Sequence, residues 1–404
     1  MKNKKYNESF LKLISISCGF AMSFLLLELF ARIAPANSTF PLEKPIECDN
    51  FERITLSCLH RRKAFSKGIW TVGKFRPLNQ VILKKTNDIG QFSDINFNTF
   101  IANKNNNVQV LSIGDSFVQA LQVTNPYTFH GILNKKKTKN NQEIISTAIG
   151  ASGMAFPNYI MSIKYAETQT DLKDIILVIP IIANDFDESF KQYALKGRRA
   201  GLGQFYFNET SDKMDFIKFP KEKNITQKSI DFILKNSALS RFIIYNLEIG
   251  NLIRNNLSFL TNANKPKTKV KFAANIIESS KKETPERFTL GNIAVYKFIK
   301  NLKELRKTSY ERNRTFLVID SDRNAIYNNF SIDESSFYQT MRRRMIHEAK
   351  KNGFKVINME NIFREDYSLS KKRFNSKYDG HWNAYGHAKV SNEILYEIKK
   401  LSRD

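Results

Sequence analysis

The 404-residue sequence is poor in the residues that build metal and redox centres, with three cysteines and five histidines. It holds no Cys-x-x-Cys pair and no Cys/His cluster, so no structural zinc site is expected and no motif calls for a cofactor. Acidic residues are scarce as well: 39 Asp and Glu against 64 Lys and Arg leave a formal net charge of +25. The basic excess forms no Arg-rich arm, no aromatic-basic RNA-binding signature and no zinc-finger spacing, which argues against specific nucleic-acid binding. Its lysines are scattered among asparagines, as in Asn103-Lys104-Asn105. Compositional bias and attraction to a membrane or polyanionic surface both remain open. Convincing internal repeats are absent too.

A hydrophobic content of 42% and an aromatic content of 12% are enough for a real core and exclude a fully disordered chain. The N-terminus carries Lys2, Lys4, Lys5 and Lys12 ahead of an apolar run at 13–27, broken by Glu28 and Arg32. A positive flank before an apolar run leaves the N-terminus in the cytoplasm and exports the chain beyond the run. The uninterrupted run is shorter than the roughly 20 residues of an ideal span. Leu29, Phe30 and Ile33 prolong it, so a tilted helix from Phe10 to Ile33 would cross. We expect residues 1–36 to be a single-pass signal anchor in the cell membrane, with the rest of the chain extracytoplasmic (periplasmic). Ala34-Pro35-Ala36 imitates a cleavage site, and a secreted product is the alternative. In an oxidising compartment Cys48 and Cys58 would close a short disulfide loop; two free thiols are the other reading.

Residues 37–107 read as an extended lead-in. Short branched apolar runs at 108–113, 144–149, 174–182, 315–319 and 355–358 read as strands, and helical patterns lie between them, notably at 295–306 and 337–350. Such alternation predicts an α/β domain over 108–400, a parallel sheet covered by helices on both faces. Residues 187–290 interrupt it and read as a largely helical lid or cap insertion.

In such sheets chemistry gathers beyond the strand C-termini. Gly114-Asp115-Ser116, Gly150–Gly153, Asn184-Asp185 and Asp379-Gly380-His381 all fall there. A serine hydroxyl needs a base, usually histidine, oriented by a carboxylate. Ser116 is the candidate nucleophile, although Gly-Asp-Ser is also a good helix N-cap. Asp379 and His381, two positions apart, can meet across a tight loop. His387 competes locally, but its place after Gly386 reads as a helix start. An oxyanion would need pre-aimed donors: the backbone N–H groups of Ser116 and Gly153 and the side chain of Asn184. The bland alternatives are a mere turn at Gly153 and helix capping at Asn184-Asp185.

Taken in order, these four blocks resemble the SGNH/GDSL hydrolases. The resemblance covers about residues 85–400 and includes Thr86-Asn87-Asp88-Ile89-Gly90, which looks like the Asn-x-x-Gly lead-in of membrane-anchored members. It implies a flavodoxin-like three-layer αβα fold, with Ser116 as nucleophile, His381 as base and Asp379 as its orienting acid. Gly153 and Asn184 would complete the oxyanion hole. Two blocks depart from the pattern: Ile182-Ala183 stands where a glycine usually precedes the Asn, and Asp-Gly-His is one residue short of Asp-x-x-His. The ending Asp379-Gly380-His381-Trp382 is similar to that of alginate-type acetyltransferases and their relatives. The expected function is therefore a serine esterase removing an acyl group, acetyl first among candidates, from an exported or cell-surface glycan. Transfer of that group to a polysaccharide is the alternative, and a non-catalytic glycan-binding or assembly protein is a third. Expected partners are an acylated glycan or small ester, the membrane, and polysaccharide-assembly proteins.

Overall fold

Five short runs rich in Val, Ile and Leu form the central sheet: β1 (Val108–Gly114), β2 (Ile144–Gly150), β3 (Ile176–Ile181), β4 (Thr315–Ile319) and β5 (Lys355–Asn358). Strands buried on both faces read as near-continuous apolar runs, as β3 and β4 do; β1 and β2 include buried polar residues such as Ser112 and Thr147, and the edge strand β5 is only partly buried. All neighbours pair in parallel, in the order β2-β1-β3-β4-β5. This 2-1-3-4-5 arrangement is the flavodoxin-like one, whose chain reversal beside β1 places a crevice at the strand C-termini. The computed structural model describes residues 2–34, 36–40, 42–43, 48, 54–71, 81–103, 107–194, 204–217, 225–247, 283–328, 334–377 and 380–401.

The principal helices are α1 (Lys2–Ile33), α2 (Ser116–Gln119), α3 (Phe156–Gln169), α4 (Ala183–Glu188), α5 (Ile225–Asn236), α6 (Ala238–Arg241), α7 (Pro285–Leu305), α8 (Phe337–Lys351) and α9 (Ala384–Leu401). Side chains alternate across the sheet. Leu111, Ile113, Leu177, Ile179, Leu317 and Ile319 pack under α3, α7 and α8 with Phe156, Phe298 and Met341. Val110, Val178, Phe316 and Val318 face the other layer, with Phe129, Phe363, Trp382 and Ile394. Helices therefore cover both faces, as a three-layer αβα domain requires.

The chain divides into two units: 1–39 with 68–82 and 222–268, and 40–67 with 83–221 and 269–404. The larger holds the sheet. Within it Cys48 and Cys58 form the short-loop disulfide. Residues 187–290 split between the units. Their first part adds an antiparallel hairpin, Gln204–Phe207 with Met214–Ile217, whose aromatic strand has a strong β preference. Asn158 at the start of α3 exchanges two hydrogen bonds with the backbone of Phe205 and so pins the hairpin. Their second part, α5 and α6, groups with α1.

Candidate active site

The strand ends explain the local turns. In register, Gly114 on β1 faces Gly150 on β2. A Cβ on either would come within 2.5–2.7 Å of Val118 side-chain carbons, so the turn after β1 closes only over glycines. Asp115 then caps α2, its Oδ1 accepting from Phe117 N at 2.8 Å. Helical character stops after one turn, because Ala120 adopts the left-handed conformation. Ser116 sits at the first position of that turn and donates to Asp115 Oδ2 at 3.3 Å. The capping and nucleophile readings of Gly-Asp-Ser coexist: Asp115 caps while Ser116 stays available.

Ser116 Oγ lies 2.8 Å from His381 Nε2, across 265 positions of sequence. His381 is held on every side. Its carbonyl accepts from Ser376 N at 2.8 Å. Arg323 Nη1 donates to Gly380 O at 2.6 Å, and Trp382 Nε1 donates to Asp320 Oδ1 at 3.1 Å. Arg323 and Asp320 are themselves a buried ion pair at 3.1 Å. The Phe117 ring lies 4.9 Å from the imidazole and 5.0 Å from the Trp382 ring. His381 Nδ1 is 3.2 Å from the Gln122 amide nitrogen. Asp379, expected to orient this histidine, lies outside the described residues.

Asn184, in the first turn of α4 just after β3, and Gly153, in the loop after β2, follow the two strands that flank β1. Gly153 has φ +80°, a conformation that favours glycine. The neighbouring Ser152 donates through its N–H and hydroxyl to Gln119 Oε1, which ties this loop to α2. Asn184 Nδ2 donates to Glu188 Oε2 at 2.9 Å. Asp185 closes its own helix, accepting from Ile182 N at 2.8 Å and from Tyr159 Oη at 2.7 Å. His387 takes no part: it is buried in α9, stacks on Phe129 and accepts from Phe129 N at 3.3 Å. The lead-in acts as a brace. Asn87 Oδ1 accepts from Ile89 N and Gln91 N, and Gln91 Oε1 in turn accepts from Gly150 N at 3.0 Å.

Burial sets the charges. Desolvation pushes the Asp115 carboxyl up to about 6, against the opposing pull of the Phe117 N–H and His381. Asp185 is raised as well, by burial first and then by the Asp115 charge. Behind the site Lys84 is fully buried, donating to Ala120 O at 2.9 Å and Val123 O at 2.8 Å. Burial brings its pKa down to about 7. It clamps the loop that carries Gln122. His130 is pushed down to about 3 and His387 well below its ordinary value, both by burial first. Both stay neutral at ordinary pH.

Sequence reasoning missed Gln119, Gln122, Lys84, Asp320 and Arg323. For Asp320 and Arg323 a signal existed, since they follow β4 at the same edge of the sheet as the other blocks. Gln122 and Lys84 carried none.

No family model matches this chain, and no curated protein matches it in sequence. It is similar to solved structures of lipolytic and esterase proteins. One is a member of the lipolytic G-D-S-L family from Veillonella parvula: 11% identity, 72% of this chain and 97% of that one covered, TM-score 0.35. A psychrotrophic esterase from a Pseudoalteromonas species shows 13% identity over 73% of this chain and 99% of its own, TM-score 0.35. An acetylxylan esterase from Geobacillus stearothermophilus shows 11% identity over 72% and 95%, TM-score 0.33. The reading of this site rests on its own geometry.

Proposed function

We propose that the protein is a serine esterase of SGNH/GDSL type, anchored in the membrane with its catalytic unit outside the cytoplasm, cleaving acyl esters of a glycan. The Ser116 Oγ to His381 Nε2 distance of 2.8 Å, at the C-terminal edge of the sheet, carries the reading. Ser116 attacks the ester carbonyl as His381 Nε2 takes its proton, and Asp379 keeps the imidazole in the tautomer whose Nε2 accepts. The oxyanion receives the N–H groups of Ser116 and Gly153. An amide nitrogen has two hydrogens, so Asn184 can serve Glu188 with one and the oxyanion with the other. Collapse expels the sugar alkoxide, protonated by His381, and leaves an acyl-Ser116. Water, deprotonated by His381, then releases the acid.

The anchor reading draws support from the span itself. Phe10–Ile33 is apolar, and its large side chains from Phe10 to Ile33 are exposed, while Ala31 near its end is buried. Glu28 in its last turns accepts from Ser237 Oγ, Ala238 N and Leu239 N at 2.8–3.0 Å. Cleavage after Ala36 would strip the α6 N-terminus of that partner, which favours retention. The Asp379-Gly380-His381-Trp382 ending keeps transfer to a sugar hydroxyl as the second reading. Incubating the full-length protein with an activated acetyl ester, with and without glycan acceptors, separates the two. Free acetate alone supports hydrolysis, acetylated glycan supports transfer, and no turnover removes both.

A further inference from the structure

We propose that α5 lies in the outer interface of the membrane beside the α1 span, with its apolar face in lipid; this rests on the anchor reading above. The helix has two unlike sides. Ile225, Phe232 and Ile233 recur at i, i+7 and i+8, and Ile230 joins Ile233 and Leu234 at i, i+3 and i+4. Lys228, Asp231 and Lys235, at i, i+3 and i+7, make the opposite side. Of the apolar set only Leu234 is buried: Ile225 is 84% exposed, Phe232 69%, Ile233 48% and Ile230 47%. A folded protein in water covers such a face, and lysine on the other side is the pattern of a helix lying in a headgroup layer.

The lipid cover is inferred from where α5 is tied down. Arg32, one residue before the end of the span, donates to Asn236 O, the last residue of α5. Glu28 caps the next helix through Ser237, Ala238 and Leu239, and Arg241 donates to Leu234 O and Lys235 O. Phe30 packs edge-on against Phe242. The corner between α5 and α6 is thereby fixed to α1 at the level of Glu28. At about 1.5 Å per residue, Glu28 lies roughly 7–8 Å inside the end of the span at Ile33. Interfacial helices bury their apolar face about 5–10 Å into the headgroup and acyl boundary, so the corner sits at that depth. The same contacts account for a carboxylate within a span: it is satisfied by Arg32 and by a helix N-terminus, as an intramembrane charge requires.

The test uses the full-length chain with Cys18→Ser, reconstituted in phosphatidylcholine–phosphatidylglycerol vesicles. An environment-sensitive fluorophore is placed through Phe232→Cys on the apolar face or Lys228→Cys on the polar face. Ile233→Cys serves as a second apolar site should the first variant lose its cooperative melt. The expected result is quenching of the apolar-face label by shallow nitroxide lipids, with iodide quenching about five-fold weaker than at position 228. Equal iodide quenching on both faces, in protein that resists an alkaline carbonate wash, overturns the interfacial helix and leaves the anchor standing. Release of the protein by that wash overturns the anchor reading and the proposal with it.

Discussion

Removing the Asp320 carboxylate tests how His381 is positioned. Asp320 is 1% exposed; it receives Trp382 Nε1 on one oxygen and Arg323 Nη2 on the other. Arg323 reaches on to Gly380 O, so one carboxylate braces both neighbours of His381. In Asp320→Ala the guanidinium is left buried without its counter-charge, a loss of about 3–5 kcal/mol. For a unit of this size, at about 2.1 cal/mol/K of unfolding entropy per residue, that lowers Tm by roughly 5–8 °C. Activity falls separately. Releasing Gly380 and Trp382 lets the packed rings of Phe117, His381 and Trp382 relax, and a displacement near 1 Å costs on the order of 100-fold in kcat. Asp320→Asn keeps one acceptor for Trp382 and should lose less of both. The assay is turnover of an activated acetyl ester well below the variant's Tm, beside thermal melts. A kcat within about two-fold of wild type, together with a large drop in Tm, would refute the positioning argument and leave Asp320 a purely structural residue.

Four further outcomes are expected. Asp379→Asn should lower kcat by about 10³–10⁴-fold with little change in Tm, as loss of the orienting acid does in a triad; steady-state kinetics decide it. Gln122→Leu should lower kcat roughly ten-fold and leave KM nearly unchanged, since the Gln122 amide lies 3.2 Å from His381 Nδ1 and, turned so that its oxygen accepts from Nδ1–H, supports the tautomer whose Nε2 accepts and touches no substrate. His387 is held below its unfolded pKa, so the unfolded chain binds the extra proton and the stability this residue supplies is complete above about pH 6.5 and lost as pH falls. Denaturant melts from pH 7.5 to 5 should therefore show the gap between wild type and His387→Gln narrowing by up to about 1.4 kcal/mol per pH unit below 6.5. The comparison with the variant is needed because raised carboxyls at Asp115 and Asp185 oppose that slope. Replacing both Cys48 and Cys58 by Ser should cost about 2–3 kcal/mol for a loop of this length, read from the same melts.

The sheet was legible because buried parallel strands write themselves as short runs of branched residues. The runs at 108–113, 144–149 and 315–319 match β1, β2 and β4 to within a residue. The long helices α7 and α8 were legible for the same kind of reason, a clear 3.6-residue apolar period. The helix after Ser116 was not: Phe117, Val118 and Leu121 suggest continuation, but a left-handed Ala120 ends it after one turn, held by carbonyl contacts to the distant Lys84. Asn184-Asp185 was a mixed case. Asp185 caps its own helix, as the bland reading held, while Asn184 sits one residue earlier at the mouth of the sheet. The pairing of Ser116 with His381 was expected from block order alone, yet Gln122, Asp320 and Arg323, which hold that histidine, are tertiary neighbours without a local pattern. The partnership of Glu28 with residues 237–239 is likewise invisible at a separation of about 210 positions.

The central claim is that Ser116 is a nucleophile activated by His381. The most direct measurement is labelling of the full-length protein with a fluorophosphonate, followed by mass spectrometry of the modified peptide. A single adduct on Ser116 is expected, absent in Ser116→Ala and slowed on the order of 10³-fold or more in His381→Ala. An adduct on another residue, or ester turnover unchanged in Ser116→Ala, would contradict the account.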